Sequence, residues 1–218
     1  MEDLFIERHE DDNLRALVVV VPSLQRLSLE IDSECSSDEY VMIDTPSLKY
    51  FKVDDNRMSF SYLIMRMPKL GEANIVVDTN LVQFLESITS VKRLSLDVFI
   101  NEEEETYPAG IVFHQLEHLK LSVFGDNWSK LLVRLLKDSG KLRALNLNVS
   151  KCNSKTNERI NWSNEQSSVP TCLLESLETF KFEGYTGRLE RDFLSFILKH
   201  ARCLKSKSIL RSELECKW

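Results

Sequence analysis

The sequence predicts an α/β repeat solenoid, a curved parallel sheet closed on its other side by mixed helical and irregular segments. Three observations predict it. An L-x-x-L-x-L frame recurs seven times, its copies are evenly spaced, and the connections carry short helical or extended apolar patterns.

The copies run Leu24/Leu27/Leu29, Leu48/Phe51/Val53, Leu70/Ala73/Ile75, Val91/Leu94/Leu96, Leu116/Leu119/Leu121, Leu142/Leu145/Leu147 and Leu177/Phe180/Phe182. Successive first anchors lie 24, 22, 21, 25, 26 and 35 residues apart. An eighth copy, Leu204/Lys207/Ile209, follows 27 residues later with Lys207 where an apolar residue is expected. Six of these seven spacings fall within the range of leucine-rich repeats, and seven copies in register are hard to obtain by chance. The fold class is therefore a leucine-rich-repeat solenoid.

The last two apolar positions of each frame are two residues apart, so both face the same side of a short strand. That side is the interior, and no turn can bury it without its neighbours. The connections complete the turns. Asp11 and Asp12 open a predicted helix over Leu14 to Val20. Tyr40 to Ile43 and Tyr62 to Met65 read as short strands or irregular turns. Asp78-Thr79 precedes a helical stripe of Leu81, Val82, Leu85 and Ile88. Asp126 precedes a second, of Trp128, Leu131, Leu132, Leu135 and Leu136, which Gly140 ends. Helical and non-helical connections are thus expected to alternate. Asn101 to Pro108, with four consecutive Glu, and Lys151 to Ser168 read as exposed loops. The predicted organisation is repeats over 1–150, a polar loop over 151–168, a C-terminal module over 169–210 that continues the solenoid, and a tail over 211–218.

Composition excludes several function classes. The chain of 218 residues is 43% hydrophobic and 28% charged, ordinary for a folded protein. A net charge of -6, with 28 basic residues scattered among 34 acidic ones, argues against nucleic acid as a partner. The five cysteines form no C-x-x-C pair and suit a reducing compartment. Asn127, Asn148 and Asn161 open N-x-S triplets, which matter only in a secreted protein. The acidic start Met-Glu-Asp lacks the basic region of a signal peptide, and the longest apolar run, Ala16 to Pro22, is too short to cross a bilayer. The expectation is a soluble intracellular protein, nuclear or cytoplasmic, with no membrane partner.

No catalytic constellation emerges, and neither a cofactor nor a metal is expected. His114-Gln-Leu-Glu-His118 matches the H-x-x-E-H pattern of inverted zinc peptidases, which needs both histidines on one helix face. Leu116 and Leu119 are frame anchors, so the segment enters a strand, where residues four apart lie beyond shared reach of one ion. His9 and His200 have no ligand partners at useful spacing. Nucleotide-binding and nucleophile-elbow patterns are absent, and the six glycines are dispersed. Gly184-Tyr-Thr-Gly187 reads as a turn that starts a helix rather than an anion cradle, Glu102 to Glu105 as a solvated loop, and Trp128, Phe193 and Phe196 as core.

The outward positions of the frame follow directly. They are Arg26, Ser28 and Glu30; Tyr50, Lys52 and Asp54; Glu72, Asn74 and Val76; Arg93, Ser95 and Asp97; His118, Lys120 and Ser122; Ala144, Asn146 and Asn148; and Thr179, Lys181 and Glu183. Mixed charge with an aromatic suits a polar protein-binding face. Arg26, Tyr50 and Arg93 are its expected anchors.

The stretch from Val169 to Gly187, the helix-like Phe193 to Lys205, and the upstream Trp162 closely resemble the FBD module of plant F-box/leucine-rich-repeat proteins. Asp44-Thr-Pro-Ser-Leu-Lys-Tyr50 and Met67-Pro-Lys-Leu70 resemble the repeats of the same family. The resemblance implies substrate recognition by the repeats of a ubiquitin-ligase adaptor, and so a protein partner: a ubiquitylation substrate or a scaffold. In that family an F-box ahead of the repeats binds the ligase adaptor. Here the first repeat begins within about ten residues of Met1, so the chain is expected to lack an F-box, to be a truncated product, and not to bind the adaptor. The alternative is a truncated remnant with no autonomous function.

Overall fold

The computed structural model describes residues 2–9, 14–35, 40–55, 57, 61–78, 81–99, 110–124, 128–150, 169–185 and 188–211. The chain divides into two compact units, Met1–Phe99 and Ile100–Trp218.

In the first unit β1 (Asp3–Arg8), β3 (Arg26–Ile31), β5 (Tyr50–Asp55), β7 (Glu72–Val77) and β8 (Arg93–Phe99) form a parallel sheet in that order. The register is unshifted: Leu27 pairs with Phe51, Phe51 with Ala73, and Ala73 with Leu94. A second parallel sheet, β2 (Ala16–Val20), β4 (Tyr40–Asp44) and β6 (Ser61–Ile64), backs the first three turns. The short helix α1 (Leu81–Ser87) backs the fourth. Its Phe84 ring lies 6.3 Å from that of Phe51 and 4.7 Å from that of Tyr62, so one side chain ties both sheets to the helix.

The frame's physics is visible in the turns. The first anchor donates its N–H to the carbonyl three residues back in Leu24→Val21, Leu48→Thr45 and Leu70→Met67, with Pro22, Pro46 and Pro68 at the second position of each β-turn. Proline presets φ there and has no N–H to lose. Beyond each turn one carbonyl accepts two amides of the next turn: Gln25 from Lys49 and Tyr50, Lys49 from Gly71 and Glu72, Gly71 from Lys92 and Arg93. These paired bonds lock the next strand one turn on. The anchors of all four copies in this unit are at most 2% exposed, so truncating Leu29 to Ala costs about 2–5 kcal/mol.

In the second unit β9 (His118–Phe124), β10 (Ala144–Ser150), β11 (Thr179–Tyr185) and β12 (Ser206–Arg211) form a parallel sheet. Three helices accompany it: α2 (Trp128–Asp138), α3 (Thr171–Glu175) and α4 (Arg188–His200). The α2 stripe is buried as its period requires, and α3 contacts both α2 and α4. Trp128, Phe180, Phe182 and Phe193 form one aromatic cluster, with Trp128 edge-on to Phe193 at 5.1 Å. These are core residues, as expected from their spacing.

Three expectations are corrected. The segment Ala16–Val20 is the strand β2, not a helix: its run of Val18, Val19 and Val20 is β-branched, and each residue pairs in register with β4. Asp11 and Asp12 lie outside the described residues. The first three connections do not alternate either, since all three carry strands; α1, α2, α3 and α4 lie in later ones, and residues 100–109 between β8 and β9 lie outside the described residues. Finally, Gly184 sits in β11 at a shift of register opposite Leu210 and Arg211, not in a turn. Its φ is +107°, and a Cβ there would fall 2.1 Å from the Val149 carbonyl oxygen. Only glycine fits so close a backbone approach. The strands expected near Tyr40 and Tyr62 are present as β4 and β6. The proposed caps Thr79 and Asp126, Gly187 and the loops 101–108 and 151–168 lie outside the described residues.

Candidate protein-binding face

Each strand of the first unit alternates buried and outward residues, and the unshifted register lines the outward ones into three rows. The first row is Asp3, Arg26, Tyr50, Glu72 and Arg93; the second is Phe5, Ser28, Lys52, Asn74 and Ser95; the third is Glu7, Glu30, Asp54, Val76 and Asp97. Twelve of the outward residues named from the sequence thus share one face.

Neighbouring turns are coupled side chain to side chain along these rows. The Arg26 guanidinium lies over the Tyr50 ring, 4.4 Å from its centre, and its Nε is 3.8 Å from Asp3. Arg93 donates from Nε and Nη2 to one oxygen of Glu72, at 3.0 and 2.6 Å. Lys52 Nζ donates to Glu30 at 2.5 Å, and this hydrogen bond raises the Lys52 pKa above its ordinary value against a smaller opposing effect of burial. All are solvent-accessible pairs, each worth about 0–1 kcal/mol to stability. Their effect is to hold long side chains in fixed poses. Glu7, Glu30, Asp32 and Asp54, with Arg8, His9 and Ile31, also line a shallow depression of about 190 Å³ at the C-terminal ends of β1, β3 and β5.

In the second unit the outward rows are His118, Ala144, Thr179 and Ser206; Lys120, Asn146, Lys181 and Ser208; and Ser122, Asn148, Glu183 and Leu210. Lys181 is paired with Glu183 at 2.5 Å, and the Asn146 Oδ1 atom is buried with no hydrogen-bond partner among the described residues. His118 opens β9 and His114 precedes it in a turn, so the pair shares no helix. Among the described residues no group of His, Cys, Asp and Glu could hold a metal ion, and no helix is long and apolar enough to cross a membrane.

Two clusters were not singled out from the sequence. Arg143 and Lys205 both bind Glu178, at 2.8 and 3.0 Å, each just ahead of its strand; the Lys205 bond, then that of Arg143, holds the Glu178 carboxyl below its ordinary pKa. The other is buried: Asp55, Arg57 and Tyr62. Asp55 falls on the inward phase of β5 after Phe51 and Val53, and a carboxylate there is the one sequence signal that a buried cation stands nearby.

The FBD family model matches residues 164–209. The chain is 52% identical over 214 residues to an FBD-associated F-box protein of Arabidopsis thaliana, covering 96% of this chain and 55% of the relative. It is 43% identical over 215 residues to a putative F-box/FBD/LRR-repeat protein of the same organism, covering 96% of this chain and 47% of the relative. An F-box/FBD/LRR-repeat protein of Arabidopsis thaliana is 41% identical, with 96% and 49% covered. The chain spans about half the length of the curated relatives it matches. No solved structure matches it.

Proposed function

The chain belongs to the plant F-box/FBD/LRR-repeat proteins, and on that premise we propose that it is a non-catalytic recognition module whose outward strand face binds a protein partner. The repeats act as turns of a leucine-rich-repeat solenoid that the FBD module continues. The partner is a ubiquitylation substrate or scaffold met inside the cell, in nucleus or cytoplasm. The observation that carries the reading is the first row of the face: Arg26 stacked on Tyr50, with Arg93 held by Glu72 two strands on. Tyr and Arg in fixed poses lose little freedom when a partner arrives, which is why such residues anchor interfaces. Ligase-adaptor binding is not assigned to these residues.

The test is affinity capture from plant extract with the 218-residue chain and with the Tyr50→Ala, Arg93→Glu double variant, both first shown to be folded and monodisperse. A partner held by the first, lost by the second and cross-linked to the face supports the reading. Equal capture by both refutes the face. Chaperones alone on an aggregating chain would mean that it has no autonomous role.

A further inference from the structure

We infer that the outward face of the second sheet, formed by β2, β4 and β6, docks on the same face of a second copy of this chain. The inference is independent of the proposed binding face, which lies on the other sheet of the unit. The two sheets differ in what they turn outward. The three rows on the larger sheet are mostly charged or polar. On the second sheet the register aligns Val18, Met42 and Leu63 in one row across all three strands. Val20 and Asp44 form the next row, which Met65 extends by donating its amide to the Ile43 carbonyl. Tyr40 stands in the row before, between Ala16 and Ser61. The alternate residues Val19, Val41, Ile43 and Tyr62 are buried, whereas Val18, Val20, Tyr40, Leu63 and Met65 are between 46% and 54% exposed.

Area and polarity choose the occupant. Side chains of this number and exposure present roughly 500 Å² of contiguous apolar surface, the size of patch that marks an interaction site on a soluble protein. Two such faces in contact remove roughly 1,000 Å² from water, just enough for a specific, weak interface. Among the described outward residues of these strands the one charge is Asp44, two positions after Met42, and the Tyr40 hydroxyl lies two positions before it. A two-fold axis along the Val18, Met42 and Leu63 row turns the strands of the two copies antiparallel. It sets the two Met42 side chains together and brings each Tyr40 hydroxyl, a donor, over the Asp44 carboxylate of the other copy, an acceptor. With the strands parallel instead, Asp44 would face Asp44, which like charge disfavours. The face is therefore complementary to itself in one orientation. Sheets packed this way stand about 10 Å apart, with one layer of interdigitated side chains between them.

Light scattering and sedimentation of the 218-residue chain over a concentration series test this. The expected result is a monomer–dimer equilibrium with a dissociation constant of roughly 1–100 μM, since the area is near the lower limit for a specific contact. Leu63→Glu should abolish the dimer, and Tyr40→Phe should weaken it about tenfold or more. Both positions are about half exposed, so the melting temperature of the dilute chain should change little in either variant. Phe5→Glu, on the outward face of the other sheet, should leave the dimer intact. In Met42→Cys a short bis-maleimide should join two copies through position 42, mapped by mass spectrometry. A chain that stays monomeric throughout the series overturns the inference. So does a dimer indifferent to Leu63→Glu, or one joined only through other positions. If the chain is monomeric and Leu63→Glu instead loses a protein captured from extract, the face belongs to a different partner and the inference also fails.

Discussion

The Arg57 guanidinium grips the Asp55 carboxylate with two bonds, Nε to Oδ1 at 2.9 Å and Nη2 to Oδ2 at 2.8 Å, with both side chains at most 1% exposed. The Arg57 amide adds a third bond to Oδ1, and the Tyr62 hydroxyl donates to Oδ2 at 2.9 Å. The carboxylate thereby fastens the end of β5 to the start of β6 two residues into the following connection. Removing either ion deprives the other, inside a buried site, of the two charge-assisted bonds between them, so Asp55→Ala or Arg57→Ala is expected to cost about 3–5 kcal/mol. Chemical denaturation read by circular dichroism would measure it. A loss below that of an exposed pair such as Arg93–Glu72 would refute the assignment.

Tyr62 gives the same cluster a pH signature. Burial first, then the nearby Asp55 charge, pushes its phenol well above the ordinary 10.0. A group whose folded pKa is raised contributes stability that is fully present below its unfolded value and is lost as pH rises towards the folded one. The stability curve should therefore decline from about pH 10 upwards. In Tyr62→Phe that alkaline decline should be shallower, with about 1.5–3 kcal/mol lost at neutral pH with the hydrogen bond to the Asp55 carboxylate, which Arg57 still holds.

Gly184→Ala places a methyl group where the Val149 carbonyl stands and forces an L residue to a φ of +107°. Backbone strain of this kind costs about 1–3 kcal/mol before the clash is counted. The expected result is a lower melting temperature with β10 and β11 amides exchanging faster. Gly110→Ala, also at positive φ but with nothing within 4 Å, should cost less.

Arg26→Ala separates binding from stability. The stacked guanidinium is more than half exposed, so the fold should lose no more than about 1 kcal/mol. Affinity for a captured partner should fall about tenfold or more if the first row anchors it. Isothermal calorimetry beside thermal melting would distinguish the two losses.

Cys172 is predicted to resist alkylation in the folded chain. Burial pushes its thiol up to about 12, leaving almost no thiolate at neutral pH. Cys203 is partly exposed and should be modified before Cys172. Mass spectrometry after brief iodoacetamide treatment, with and without denaturant, would show the order.

The strands after the first turn were legible because the frame repeats one physical requirement: anchors that end at most 2% exposed. β1 carries a weaker signal, although Met1, Leu4 and Ile6 complete the frame 23 residues ahead of Leu24. Its acidic residues suit a polar N-terminus as well as outward strand positions. β2 is ambiguous in sequence because a short apolar run fits either period; the four consecutive valines, Val18 to Val21, are the usable arbiter. The outward residues followed from strand parity alone. Which of them touch did not, because Arg26 meets Tyr50 only through a register that pairs residues 24 apart. Arg57 was illegible for a different reason: its partnership depends on where the connection after β5 turns inward, which no periodicity records.

The short separation of paired strands along the chain bears on how the first unit is made. Arg26 pairs with Tyr50, Tyr50 with Glu72, and Glu72 with Arg93, so no strand waits for a distant segment. A ribosome adding about 5–20 residues per second delivers each turn within seconds of its predecessor. The edge left open at any moment during synthesis is then the one the next turn covers. Vectorial production suits this topology in a way that refolding the whole chain from denaturant, where any turn can collapse on any other, does not.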